Sequence, residues 1–125
     1  MAKEAKTYCE YRGDIAVIHL GTTEDELLER FESCAQDVAG KEDITAVVVD
    51  MQEVYSMLSR GAGQFIIVND ILRETKPPKD MYVCNVHPLP QKTFEMLGIL
   101  DSLEGTYLRG TLDEVLAELA NGKQK

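Results

Sequence analysis

The apolar positions of this chain change period as it runs. Ile44-Thr45-Ala46-Val47-Val48-Val49 is a nearly continuous β-branched run, the pattern of a strand covered on both faces of a sheet. It ends in Asp50. Gln64-Phe65-Ile66-Ile67-Val68-Asn69-Asp70-Ile71-Leu72 is too long and too apolar for a loop and predicts a helix. A short link and Leu58-Ser59-Arg60-Gly61-Ala62-Gly63 join the two. Ser59 therefore stands where a central strand hands over to a helix. Backbone N–H groups are unpaired at such a junction, and a hydroxyl can cap them.

The same pattern divides the rest of the chain. Thr7 to Arg12 and Ile15 to Leu20 read as two strands joined by the turn residues Gly13-Asp14, so the chain opens on an antiparallel hairpin closed by Gly21. Thr23 and Glu26 have capping-box spacing, and Leu27, Phe31, Cys34, Ala35 and Val38 follow at helical spacing as far as Gly40. The helix opened by Ser59 runs to about Thr75, where Pro77-Pro78 ends it. Met81 to Val86 predicts a fourth strand, and Gln91 to Leu97 a short helix seeded by Pro90 and stopped by Gly98. Thr106 to Arg109 predicts an edge strand. Thr111 and Glu114 form a second capping box before Leu112, Val115, Leu116 and Leu119, and Asn121-Gly122 ends that helix ahead of a frayed Lys123-Gln124-Lys125. The order is β-β-α-β-α-β-α-β-α. It predicts an α/β domain with a mixed, mostly parallel sheet, an antiparallel N-terminal edge and about four helices.

Length and charge narrow the function. At 125 residues the chain reads as one domain, residues 1–125, with its core from Thr7 to Ala120. The net charge of −9 and the lack of a basic stripe argue against nucleic acid and favour partners that are neutral or basic. Three cysteines without close pairing, Cys9, Cys34 and Cys84, fit reduced thiols in a cytoplasmic protein. No apolar run reaches the ~18 residues of a membrane span, so no direct membrane insertion is expected. Met1 to Lys6 has no apolar secretory core.

The element order, together with Asp50 and Leu58-Ser59-Arg60-Gly61-Ala62-Gly63, resembles the STAS domain family. Within it the likeness is to bacterial anti-sigma factor antagonists, and it covers the chain from about residue 7 to residue 120. That family's pattern is a strand, an Asp, a short link, then Asp-Ser-Ser/Ala-Gly-Leu-Gly and an apolar helix. Ser59 falls on the serine phosphorylated by the family's partner kinase, Gly61 and Gly63 on its two glycines, and Gly21 on the glycine after its second strand. Two positions depart from it: Leu58 replaces the usual Asp, and Arg60 a small residue. The resemblance implies a non-enzymatic protein without a cofactor that regulates transcription. It would bind an anti-sigma factor serine kinase, or another regulatory protein, through Met57, Leu58, Ser59, Arg60, Ala62, Gly63 and Ile66, and be switched by phosphorylation of Ser59. A monomer or weak homodimer is expected. Leu58 and Arg60 favour the alternative, a STAS-like structural subunit of a signalling or transporter assembly without phosphorylation. A carrier with an apolar pocket between the sheet and the third helix is a third reading.

Each motif also has a plainer account. Ser59 reads equally as an N-cap, and Gly61 and Gly63 as close packing against a neighbouring strand. Asp50 reads as a loop cap, because a receiver-type phosphoacceptor would need an acidic pair where this chain has His19-Leu20-Gly21. Gly61-Ala62-Gly63 lacks the third glycine of a dinucleotide fingerprint and the Lys of a P-loop. His19 and His87 have no Cys or acid at metal-ligand spacing, and the three cysteines fall on apolar faces as small core residues.

Overall fold

The computed structural model describes residues 4–122; Met1-Ala2-Lys3 and the Lys123-Gln124-Lys125 end, with the expectations that fall on them, lie outside the described residues. The elements are β1 (Tyr8–Arg12), β2 (Ile15–His19), a π-helical turn (Glu26–Arg30) running into α1 (Phe31–Ala39), β3 (Ala46–Asp50), α2 (Ser59–Arg73), β4 (Asp80–Cys84), α3 (Pro88–Leu97), β5 (Thr106–Leu108) and α4 (Leu112–Gly122). The five strands form one sheet in the order β1-β2-β3-β4-β5. β1 and β2 are antiparallel about Gly13, whose φ of 63° is open to glycine at no steric cost. The remaining pairs are parallel, with His19 beside Asp50 and Asp50 beside Cys84.

The strand order explains the layers. Parallel crossovers are right-handed, so stepping always toward the next strand carries α1, α2 and α3 to the same face of the sheet. There the chain's three phenylalanines, one from each helix, meet: Phe31 and Phe65 edge to face at 4.8 Å, Phe65 and Phe94 at 5.0 Å. Ala16, Ile18, Val47, Val49, Met81 and Val83 form the floor beneath them. α4 follows the last strand and makes no further crossover. Its Val115, with Leu112, Leu116 and Leu119, covers Ile15, Val17, Val48 and Cys84 on the opposite face. β3 is consequently buried along its whole length, as its uninterrupted apolar run implies.

Two helix starts differ from the sequence expectation. The Thr23 capping box does not close. Glu26 turns instead to accept the N–H of Thr7 at 2.6 Å, and Thr7 Oγ1 accepts the N–H of Gly21 at 2.9 Å. This ties the segment before β1 across Gly21, where a Cβ would stand 2.6 Å from the carbonyl oxygen of Ala5; only glycine allows that approach. α3 begins earlier than expected, at Pro88, because the first helical turn needs no donor from its own N–H groups and tolerates both Pro88 and Pro90. The second box is half made: the N–H of Glu114 donates to Thr111 Oγ1 at 3.2 Å.

Candidate functional site

The junction of β3 and α2 lies at the carboxyl end of the sheet, where open α/β sheets present their loops. Leu58, extended at φ −90° and ψ 172°, takes the N-cap position and offers no side-chain acceptor. Ser59 is thus the first helical residue rather than the cap. It is exposed, and its hydroxyl has no hydrogen-bond partner among the described residues. Gly61 is buried: a Cβ there would stand 3.0 Å from Met57 Cγ and 3.2 Å from Leu27 Cδ1, so the helix start sits close against the π-helical turn. A Cβ on Gly63 would meet nothing within 4 Å. Packing accounts for the first glycine and not for the second.

α3 runs beside this start. Thr93 Oγ1 donates to the carbonyl of Met57 at 3.0 Å and fixes the two together. Between them is a cleft of about 210 Å³ lined by Met57, Leu58, Ser59, Thr93, Met96 and Leu97. Apart from the two hydroxyl groups its lining side chains are apolar. The space between the sheet and α3, where the carrier reading put a pocket, is occupied by Phe94, which is buried against Phe65.

The loop leading to Ser59 is held from below by Asp50. Its side chain is 7% exposed and takes three donors: His19 Nδ1 at 2.8 Å, the N–H of Gln52 at 3.0 Å and Asn85 Nδ2 at 2.9 Å. Asn85 reaches it from a left-handed conformation (φ 56°), which asparagine tolerates better than most residues. His19 Nε2 meets Glu10 Oε1 at 2.8 Å, so a carboxylate faces each ring nitrogen, and Tyr8 stacks on the ring at 4.5 Å. The hydrogen bond from His19, then that from Arg12, holds the Glu10 carboxyl below the usual carboxylate range. On the other side of the loop His87 Nε2 lies 2.7 Å from the carbonyl oxygen of Gln52, with Tyr55 stacked on its ring at 4.7 Å. Gln52 is therefore held at both backbone groups, by Asp50 at the end of β3 and by His87 at the N-cap of α3.

The residues expected to meet a partner divide. Leu58, Ser59, Arg60 and Ile66 are exposed, and Gly63 is partly so. Met57 is 7% exposed and reaches the surface only as part of the cleft lining; Ala62 is fully buried and is corrected from surface to core. The physical reason is helical phase. The buried stripe of α2 runs through Gly61, Ala62, Phe65, Val68, Asn69 and Leu72; a step of three from Ser59 turns back toward it, while a step of four, to Gly63, leads away. Sequence spacing did not place Thr93, Met96 and Leu97 beside Ser59, nor the two acids on His19. Asp50 caps its loop as expected, through Gln52. Burial pushes all three thiols up, Cys84 to about 12 with Asp50 adding to it. Among the described residues no group of three His, Cys, Asp or Glu side chains is arranged to hold a metal ion, and no helix is long and apolar enough to cross a membrane.

No protein-family profile and no curated protein sequence matches the chain. Its likeness to solved structures defines the architecture: this is the STAS-domain fold, as the strand order and four helices imply. An anti-sigma-factor antagonist (STAS) domain protein from Planctomyces limnophilus superposes with a TM-score of 0.71 at 16% identity, over 91% of this chain and 97% of that one. A serine-to-glutamate variant of RsbS from Moorella thermoacetica gives 0.77 at 15% identity, over 97% and 100%. The Bacillus cell fate determinant SpoIIAA in its phosphorylated form gives 0.64 at 15% identity, over 90% and 98%.

Proposed function

We propose that this protein is a partner-switching regulator of the anti-sigma factor antagonist type. It binds an anti-sigma factor through the Asp50–Leu58 loop and the exposed start of α2, and so frees a sigma factor. Phosphorylation of Ser59 by the partner kinase ends the interaction. The protein supplies an acceptor and a surface, and the kinase supplies ATP and catalysis. The observation that carries this reading is the exposed, unbonded hydroxyl of Ser59 at the first position of α2. A phosphate there meets free N–H groups and the positive end of the helix dipole, so the fold can accept it. It adds bulk and about −1.5 to −2 charges to the docking face. The existence of a STAS-fold neighbour in both unphosphorylated and phosphorylated forms supports the same reading.

The test is incubation with the cognate kinase and ATP, followed by intact mass. A gain of one phosphoryl group, absent from Ser59→Ala, is expected. No gain, or an equal gain in Ser59→Ala, defeats the proposal. The exposed Leu58 in place of an acid favours a second reading, a non-phosphorylated subunit of a larger assembly. Co-purification with a permease or scaffold, and no phosphate, would select it.

A further inference from the structure

We infer that the cleft between the start of α2 and α3 seats one large apolar side chain of the partner, and that Arg60 pairs with a carboxylate flanking that anchor. The inference rests on the reading of Ser59 as a regulated docking point, and it names the partner's chemistry. At about 210 Å³ the cleft is smaller than the ~300–1,000 Å³ of ordinary small-molecule sites, so it suits a single side chain. Its walls end in Leu58 (67% exposed), Met96 (77%) and Leu97 (46%). Single exposed aliphatic residues are ordinary, but these three border one cavity. Methionine at the rim can reshape around an incoming side chain.

The charge pattern selects the occupant. Arg12, Arg30, Arg73 and Arg109 each reach a carboxylate within the chain. Arg60 has no partner among the described residues. It occupies the first turn of α2, where a cation opposes the helix dipole and where this helix carries no acidic residue. The fold gains nothing from it there. An unpaired guanidinium complements an acidic side chain on another molecule. Leu58 and Arg60, the two departures from the family pattern, thus become the apolar wall and the charged contact of the same seat. Ser59 also lines the cleft. A phosphoryl group on it would fill the mouth and compete with the partner's carboxylate for Arg60, so a single modification removes both contacts.

The test places the photo-cross-linking residue p-benzoylphenylalanine in the full chain at Met96 and, separately, at Ile67, which is exposed on α2 but does not line the cleft. Each protein is irradiated in its own cells, and the cross-linked residue is identified by mass spectrometry. The Met96 probe is expected to capture a partner segment in which a large apolar residue lies within one helical turn of Asp or Glu. Arg60→Glu should lower its yield by about tenfold, and Ser59→Glu should abolish it. A partner captured at Ile67 and not at Met96, a captured segment with no acid, or a yield unchanged in Arg60→Glu overturns the seat while leaving Ser59 as a switch. Capture of a second copy of this chain at Met96 overturns it too. No capture at either position, or capture at both that ignores Ser59→Glu, overturns the seat and the switch together.

Discussion

Asp50→Ala removes the acceptor for three donors at once, and the structure gives the size of the effect. His19 Nδ1, the N–H of Gln52 and Asn85 Nδ2 lie 2.8, 3.0 and 2.9 Å from its oxygens. A hydrogen bond to a charged group is worth about 1.5–3 kcal/mol net, so losing all three should cost about 4–5 kcal/mol even at the low end. That is a large part of the ~5–15 kcal/mol by which ordinary domains are stable. Asp50→Asn separates geometry from charge. Its carbonyl oxygen can still accept from Gln52 and Asn85, and its amide takes the place of the oxygen that faces His19 Nδ1. This variant should cost about 2 kcal/mol, because all three bonds change from charge-assisted to neutral at about 0.5 kcal/mol or more each. Urea denaturation followed by circular dichroism measures both, with an unchanged slope showing that the denatured state is the same. Asp50→Ala within about 1 kcal/mol of the parent, or Asp50→Asn as costly as Asp50→Ala, would refute the reasoning.

Gly63→Ala should stabilise the chain by up to about 1 kcal/mol, or about 4 °C in Tm, since a Cβ there meets nothing within 4 Å. Gly61→Ala has the same gain in helix propensity but must displace Met57 and Leu27, at about 1–3 kcal/mol, so thermal melts should find it neutral or destabilising. The reverse ranking would contradict the packing at the start of α2. Glu10 is held below its ordinary value in the folded chain, first by His19 and then by Arg12. Its contribution is therefore present above the unfolded carboxylate value and is lost as pH falls through the folded one. Denaturation curves across the acid range should show a shallower loss of stability in Glu10→Gln than in the parent, and parallel curves would count against the His19 contact.

What the sequence determined by itself is the part of the protein that depends on neighbours a few residues apart. The continuous run before Asp50 required a strand buried on both faces, Gly13-Asp14 required a hairpin, and Pro77-Pro78 stopped α2. The order of elements then left little freedom in the sheet, because right-handed crossovers allow few arrangements. Where Ser59 falls at the strand–helix seam was legible for the same reason. The tertiary structure alone decided which side chains meet across the site. Glu10 and His19 are 9 residues apart, His19 and Asp50 31, Asp50 and Asn85 35, and Thr93 and Met57 36. Strand register and the placement of α3 bring them together, and local periodicity holds no record of either. The phase of α2 was settled in the same way: burial against Phe31, Leu27 and Phe94 turned Ala62 inward and left Ser59 and Gly63 facing out. Local chain geometry fixes what each segment becomes, while the partners it finds depend on contacts between distant segments that form only when the whole core closes.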